Sequence, residues 1–412
     1  SFKALGAAKP ELTGVSDYAR AGFGDFAGFI SGWGYWLSAW LGNIAFATML
    51  MSSIGTFIPT FKGGQNVPSI IVAIIFCWLL TILVNNGVES ATFVNMIGTI
   101  CKIVPLIIFI IIMFVCFKGG MFTADFWGKV ASNATKGTTT GSVWTQMKGT
   151  LMTLIWVFIG IEGASVMAHR AKSRSEAEQA SVISFILLVI IYVLISILPY
   201  GALTRAQLAG MGQPALGHVL EMTVGHWGAV LINVGLIIST IVSWLSWTML
   251  PAETTMLVAD DKAMPKAWGK VNSKNAPTTS LMITGVLQTI FLFSLLFTEK
   301  AYEFAYSLCA AAILFSYLFV GLYQMKLSSE RKEWGQYTVG LLSALFMFAC
   351  MFLAGWQEVL LVTISFIPGF CVYYAGCKEN NHKFSKAELW TMGLILVLSV
   401  VAVVCNGTIT IS

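Results

Sequence analysis

The chain has 412 residues, of which 57% are hydrophobic and only 10% charged. Soluble domains average roughly 45–50% apolar and about 25% charged. The charge is too sparse to cover a soluble surface, which excludes a soluble enzyme, a disordered chain and a nucleic-acid binder. The net charge of +5 reads as the loop bias of a membrane protein rather than a footprint for an acidic partner.

Eleven apolar segments follow one another: 26–58, 67–85, 92–117, 148–170, 180–202, 227–258, 280–297, 304–325, 337–355, 357–376 and 389–406. Most are near the ~20 residues that cross a hydrocarbon core. The runs are continuous rather than alternating, so helices satisfy their backbones and a β-barrel is excluded. The expected fold is an all-α polytopic membrane protein with eleven spans, organised as a single transmembrane domain over 1–412. The first and sixth segments are too long for upright spans and must tilt or extend beyond the core. Alternate loops divide the Lys and Arg residues sixteen to six. The rich side, which includes Lys3, Arg20, Lys262, Lys326 and Lys378, is then cytoplasmic.

Enzyme motifs, nucleotide loops and His/Cys clusters are absent from the sequence, so no cofactor or metal is expected. The eight cysteines sit in or beside apolar runs without a CxxC pair and read as small buried residues. The polar residues and helix breakers inside the spans stand out instead. In the first segment, Ser38, Ala39 and Gly42 permit close helix packing, and Asn43 is an intramembrane amide that needs a partner. Structural glue and substrate contact are both open for it. Lys102 is an ionisable group inside the third segment, placed to pair, snorkel or take part in gating or coupling.

The fourth segment carries the densest signal, Leu154-Ile-Trp-Val-Phe-Ile-Gly-Ile-Glu-Gly-Ala-Ser165. Glu162 between Gly160 and Gly163 suggests a carboxyl facing an internal cavity, with glycines that let the helix unwind and free its backbone groups for a ligand. Trp156 offers an aromatic face that could cover a cation. The basic run His169 to Arg174 reads as a topology anchor. In the sixth segment, Trp244 and Trp247 share a helical face. Pro251 suggests a kink, and Glu253 lies near the cytoplasmic end, where it could snorkel or pair.

Tyr18-Ala-Arg-Ala-Gly-Phe-Gly24, Tyr35-Trp-Leu-Ser-Ala-Trp-Leu-Gly-Asn43, Trp156-Val-Phe-Ile-Gly-Ile-Glu-Gly-Ala-Ser165 and Ala259-Asp-Asp-Lys-Ala-Met-Pro265 resemble the APC superfamily. More narrowly, they resemble its basic amino acid/polyamine antiporters. The arginine/ornithine branch looks nearest, with histidine/histamine and lysine/cadaverine exchangers beside it. The resemblance implies a LeuT-like inverted repeat of five plus five helices, with substrate held at broken helices near the bilayer midplane. The family's first two helices have no counterpart here, so the resemblance implies an N-terminally incomplete chain.

By resemblance, Trp156 would cover the substrate from outside and Trp247 would line the pocket. Ser38, Ala39 and Asn43 would face the substrate. The carbonyl of Ile159, beside Gly160, would take the α-amino group, and Glu162 would link occupancy to helix movement. Ser307 and Cys309 would contribute from the tenth family helix, and Lys102 and Glu253 are further gating or coupling candidates. The implied partners are small amino acid and amine substrates and the lipid bilayer, with a homodimer as one assembly open to the chain. A proton-coupled importer and a membrane amino-acid sensor or accessory subunit are the competing readings.

Overall fold

The computed structural model describes residues 1–12, 14–124, 126–127, 142–162, 174–297, 301–353 and 356–408. Every regular element among them is helical. In chain order the main helices are α1 (Phe2–Ala8), α2 (Val15–Phe23), α3 (Asp25–Ile54), α4 (Val67–Asn85), α5 (Val88–Cys116), α6 (Val143–Phe158) and α7 (Arg174–Ile197). They continue as α8 (Ala215–Val224), α9 (His226–Asp260), α10 (Thr278–Ser294), α11 (Ala301–Glu330), α12 (Trp334–Leu353), α13 (Trp356–Glu379) and α14 (Lys386–Thr408). Short helical turns such as Pro199–Ala202 and Arg205–Ala209 join them.

Ten described helices are long and apolar enough to cross a membrane. They match ten of the eleven expected segments. The fourth segment differs: α6 stops after 16 residues, at Phe158. Its continuation, with the basic run from His169 to Lys172, lies outside the described residues. The two over-long segments are single helices of 30 and 35 residues, α3 and α9.

Burial separates core helices from lipid-facing ones. The most apolar stretch of α3 is 83% buried, against 11% for the stretches in α5 and α7. α3 therefore runs through the centre, packed on α9 and α11, while α5 and α7 turn Ile, Leu and Val side chains outward. Contact between α3 and α11 depends on Gly34: a Cβ there would lie 2.9 Å from the Ala312 carbonyl oxygen. Close to the same crossing, the Ser316 hydroxyl donates to the Ser31 carbonyl at 2.6 Å. Small residues thus let two backbones approach, and a hydroxyl ties them, as membrane helix packing favours.

α9 continues unbroken through Pro251. Proline has no N–H, so the carbonyl four residues earlier, that of Trp247, loses its helical partner. Asn43 supplies the replacement, donating from Nδ2 to that carbonyl at 3.1 Å. The intramembrane amide of α3 and the proline of α9 therefore form one device.

The loop charges place the start of α3 on the cytoplasmic side. There Arg20 of α2 donates from Nε to Asp25 at 2.9 Å and from Nη1 to Asp261, which caps α9. α2 is thereby tied to the cytoplasmic ends of both α3 and α9.

Candidate functional site at the break in α6

Ile159 is extended (φ −63°, ψ 134°) and ends α6. Gly160 follows at φ +109°, a conformation that side chains disfavour and glycine accepts freely. A Cβ at Gly160 would also stand 3.0 Å from Cζ2 of Trp247. The break expected from Gly160 and Glu162 is therefore present, and it begins one turn after Trp156.

The turn is held from below. Glu162 is fully buried and accepts the Gly160 N–H on both carboxyl oxygens, at 3.2 and 3.0 Å. The Tyr317 hydroxyl of α11 donates to the same carboxyl. Tyr35 of α3, also fully buried, brings its hydroxyl close without a well-aligned hydrogen bond. At the end of α6, Tyr192 of α7 donates to the Val157 carbonyl at 3.0 Å. That carbonyl is one of the helix's last four, which have no partner within the helix.

Above the turn lies a cavity of about 230 Å³. Ser38, Gly42 and Phe46 of α3 form one wall, and Ser243 and Trp247 of α9 form another. Trp156, Val157 and Ile159 contribute from α6, Tyr192 from α7, Cys309 from α11 and Lys102 from α5. Ser38 Oγ and Cys309 Sγ are 3.3 Å apart, and Lys102 Nζ donates to Ser243 Oγ at 2.9 Å. Gly42 keeps this wall open: a Cβ there would come within 3.3 Å of the Cys309 sulfur and 3.9 Å of the Trp156 indole nitrogen. Lys102 is the one charged side chain among the described lining residues. A cationic ligand would therefore meet the carbonyl-rich, partially negative end of α6 and two indole faces rather than a carboxylate.

Trp156 also lines a second, larger cavity of about 580 Å³, on the side that the loop charges assign to the outside. Its ring packs on Tyr306 at 5.4 Å, Tyr302 at 5.9 Å and Phe46 at 6.2 Å between centroids. One aromatic cluster thus separates the two cavities.

Of the residues singled out from the sequence, Ser38, Lys102, Trp156, Ile159, Trp247 and Cys309 line the inner cavity together. Gly160 and Glu162 lie just beneath it and shape the turn. Ala39 and Asn43 are fully buried in α3 off the lining, and Asn43 serves the α9 backbone. Ser307 is half-buried on α11 and does not reach the cavity. Glu253 is fully buried on α9, six residues and about 9 Å beyond Trp247 along the axis, and also lies off the lining. Sequence reasoning missed Tyr317, Tyr192 and Ser243 as partners. Each is an ordinary polar residue in an apolar span, and only the fold brings it to the break.

The family model described as amino acid permease matches residues 2–377. The chain belongs to the amino acid permease family. It is similar to an arginine/ornithine antiporter of Latilactobacillus sakei, 48% identical over 98% of this chain and 86% of that protein. An arginine/ornithine antiporter of Lactococcus lactis subsp. cremoris is 44% identical over 96% of this chain and 78% of its own. An arginine/agmatine antiporter of Chlamydia felis is 37% identical over 99% and 86%. With ten apolar membrane-length helices among its described residues, this permease is a multi-pass membrane protein of the cell membrane. The matches span both α6 and the helices that surround its break.

Proposed function

We propose that this permease is a basic amino acid antiporter, taking up arginine in exchange for its internal product ornithine by alternating access. The observation that carries the reading is the break in α6: a helix end opens into an amino-acid-sized cavity, one tryptophan closes it from outside, and a buried carboxyl holds the turn beneath it. The similarity to arginine/ornithine antiporters supports the choice of substrates.

In the exchange cycle, the carbonyl end of α6, including Ile159, receives the α-ammonium group. Trp156 and Trp247 stack on the side-chain cation, each contact worth up to ~2 kcal/mol when water is excluded. Ser38 and Cys309 shape the wall opposite. Bound substrate ties α6 to α3, α9 and α11 at once, which favours the occluded state. A ligand shifts such an equilibrium only by its difference in affinity for the states, and contacts made by several helices together supply that difference. Glu162 transmits occupancy to the cytoplasmic side, because displacing the Gly160 turn breaks its hydrogen bonds. The chain acts as one transport unit over 1–412 and is assigned no covalent chemistry.

Lys102 favours a second reading. An ionisable group on the cavity wall could carry a proton, which would make the protein a proton-coupled importer. The test is uptake of labelled arginine into proteoliposomes loaded with ornithine, with histidine, histamine, lysine, cadaverine and agmatine as competitors. Strongest competition by arginine and ornithine is expected. Preference for another amino acid and amine pair would reassign the substrates, and no uptake of any of them would overturn the reading.

A further inference from the structure

The outer cavity differs from the inner one in charge: Glu303 stands on its wall beside Tyr302 and Tyr306, and Lys62 reaches it from the loop before α4. Glu303 and Tyr306 are three residues apart on α11, so they share a helix face. Tyr302 and Tyr306 meet at 5.3 Å between centroids, edge to face, and Thr153 of α6 donates to the Tyr306 hydroxyl at 3.3 Å. The aromatic platform is thus held in place, with a carboxylate at its edge and an ammonium elsewhere on the same cavity.

We infer that this outer cavity is a second binding site for an amino acid with a cationic side chain, occupied before the inner one. The side-chain cation lies between Glu303 and the tyrosine faces, and the α-carboxylate is held by Lys62. Carboxylate and π-face together suit a guanidinium or ammonium, and a positive group set apart from them suits the opposite end of the same molecule. The volume of about 580 Å³ leaves room for an amino acid that keeps part of its hydration. Trp156 forms the floor, so a ligand held here stands on the side chain that must move to admit it. A loaded outer site would raise the local substrate concentration at that floor.

The inference rests on the antiporter reading, and the experiment separates the two. Exchange is measured in proteoliposomes of known orientation, varying external and internal arginine separately. Glu303→Gln is expected to raise the external KM roughly fivefold, the scale of one partly solvated charge contact. The maximal rate and the internal KM should stay near wild type, which also shows that the variant folds. Lys62→Gln is expected to raise the external KM for arginine but not for agmatine, which lacks the carboxylate. Equilibrium dialysis of the purified protein should find two labelled arginines per chain, with one of the two sites about fivefold weaker after Glu303→Gln. One arginine per chain in wild type, or external KM values unmoved by both substitutions, overturns the outer site. An absence of any exchange by the wild-type protein overturns the antiporter reading instead.

Discussion

The inner cavity is closed at its two ends by different chemistry. Towards the outside stands an aromatic cluster of Trp156, Tyr302 and Tyr306, with Trp156 half-buried and facing a cavity on each side. Towards the cytoplasm stands a fully buried carboxyl that accepts from Gly160 and from Tyr317 on another helix. An aromatic floor can open by side-chain rotation, since the ring contacts it gives up are weak and replaceable. The carboxyl lock cannot open that way. Each of its donors must find a new partner, so opening requires the helices themselves to move. In the proposed exchange cycle, the outer end acts as a thin gate and the inner end as a thick one.

The largest expected effect falls on the thick gate. Glu162→Ala leaves the Gly160 N–H and the Tyr317 hydroxyl buried without an acceptor, at about 1–3 kcal/mol each. Exchange should fall by roughly 30-fold or more, read as initial rates in proteoliposomes beside a melting curve. Wild-type rates in a well-folded variant would remove Glu162 from the lock.

At the thin gate, Trp156→Leu should cut exchange about 10- to 30-fold, matching the loss of one desolvated cation–π contact. The melting temperature should move little, because the ring is only partly buried. Equal losses in rate and stability would make Trp156 a packing residue and dissolve the contrast between the ends.

Gly160→Ala tests the turn that joins the two. A side chain at φ +109°, with its Cβ 3.0 Å from the Trp247 ring, should cost about 1–3 kcal/mol of stability. A melting curve that matches wild type would mean the turn relaxes freely.

The smallest effect belongs to the cytoplasmic tie at Arg20. Burial pushes the Asp261 carboxyl up to about 6 from its usual 3.8, and Asp17 and Asp25 add to the push while Arg20 opposes it. A carboxyl with a raised folded-state pKa binds its proton more tightly in the fold than out of it, so its unfavourable contribution is present above pH 6 and is relieved as the pH falls through 6 towards 4. Wild type should therefore gain about 1–2 °C in melting temperature relative to Asp261→Asn between pH 7 and pH 5, a small shift because Arg20 is open to solvent. A pH-independent difference would contradict this.

The two gates were not equally legible in the sequence. Long apolar runs give the helices directly, and ten of eleven segments stand as membrane-length helices. The break is also legible, because glycines around an acid in an apolar run have few other physical explanations. Trp156 follows from its proximity to that break, whereas Trp247 stood out only as one of a tryptophan pair and through the family resemblance. The thick gate's partners were hidden. Tyr317 lies 155 residues from Glu162 in sequence, and a tyrosine in an apolar span carries no mark of what it will meet. Asn43 shows the opposite limit. Its need for a partner was clear, and Pro251 was visible as a break in α9's hydrogen bonding, yet nothing in the sequence joined the two across 204 residues. The outer cavity was not visible either, because its walls come from short loops and helix ends whose placement depends on the packing of α3 against α11.

In the proposed cycle, substrate must be bound for the two gates to trade places. The most direct measurement compares uptake of labelled arginine into proteoliposomes that are empty with uptake into those loaded with ornithine, at equal pH and under a proton gradient. Exchange requires rapid uptake only into the loaded vesicles, with little response to the gradient. Comparable uptake into empty vesicles driven by the gradient would contradict exchange and favour the proton-coupled importer.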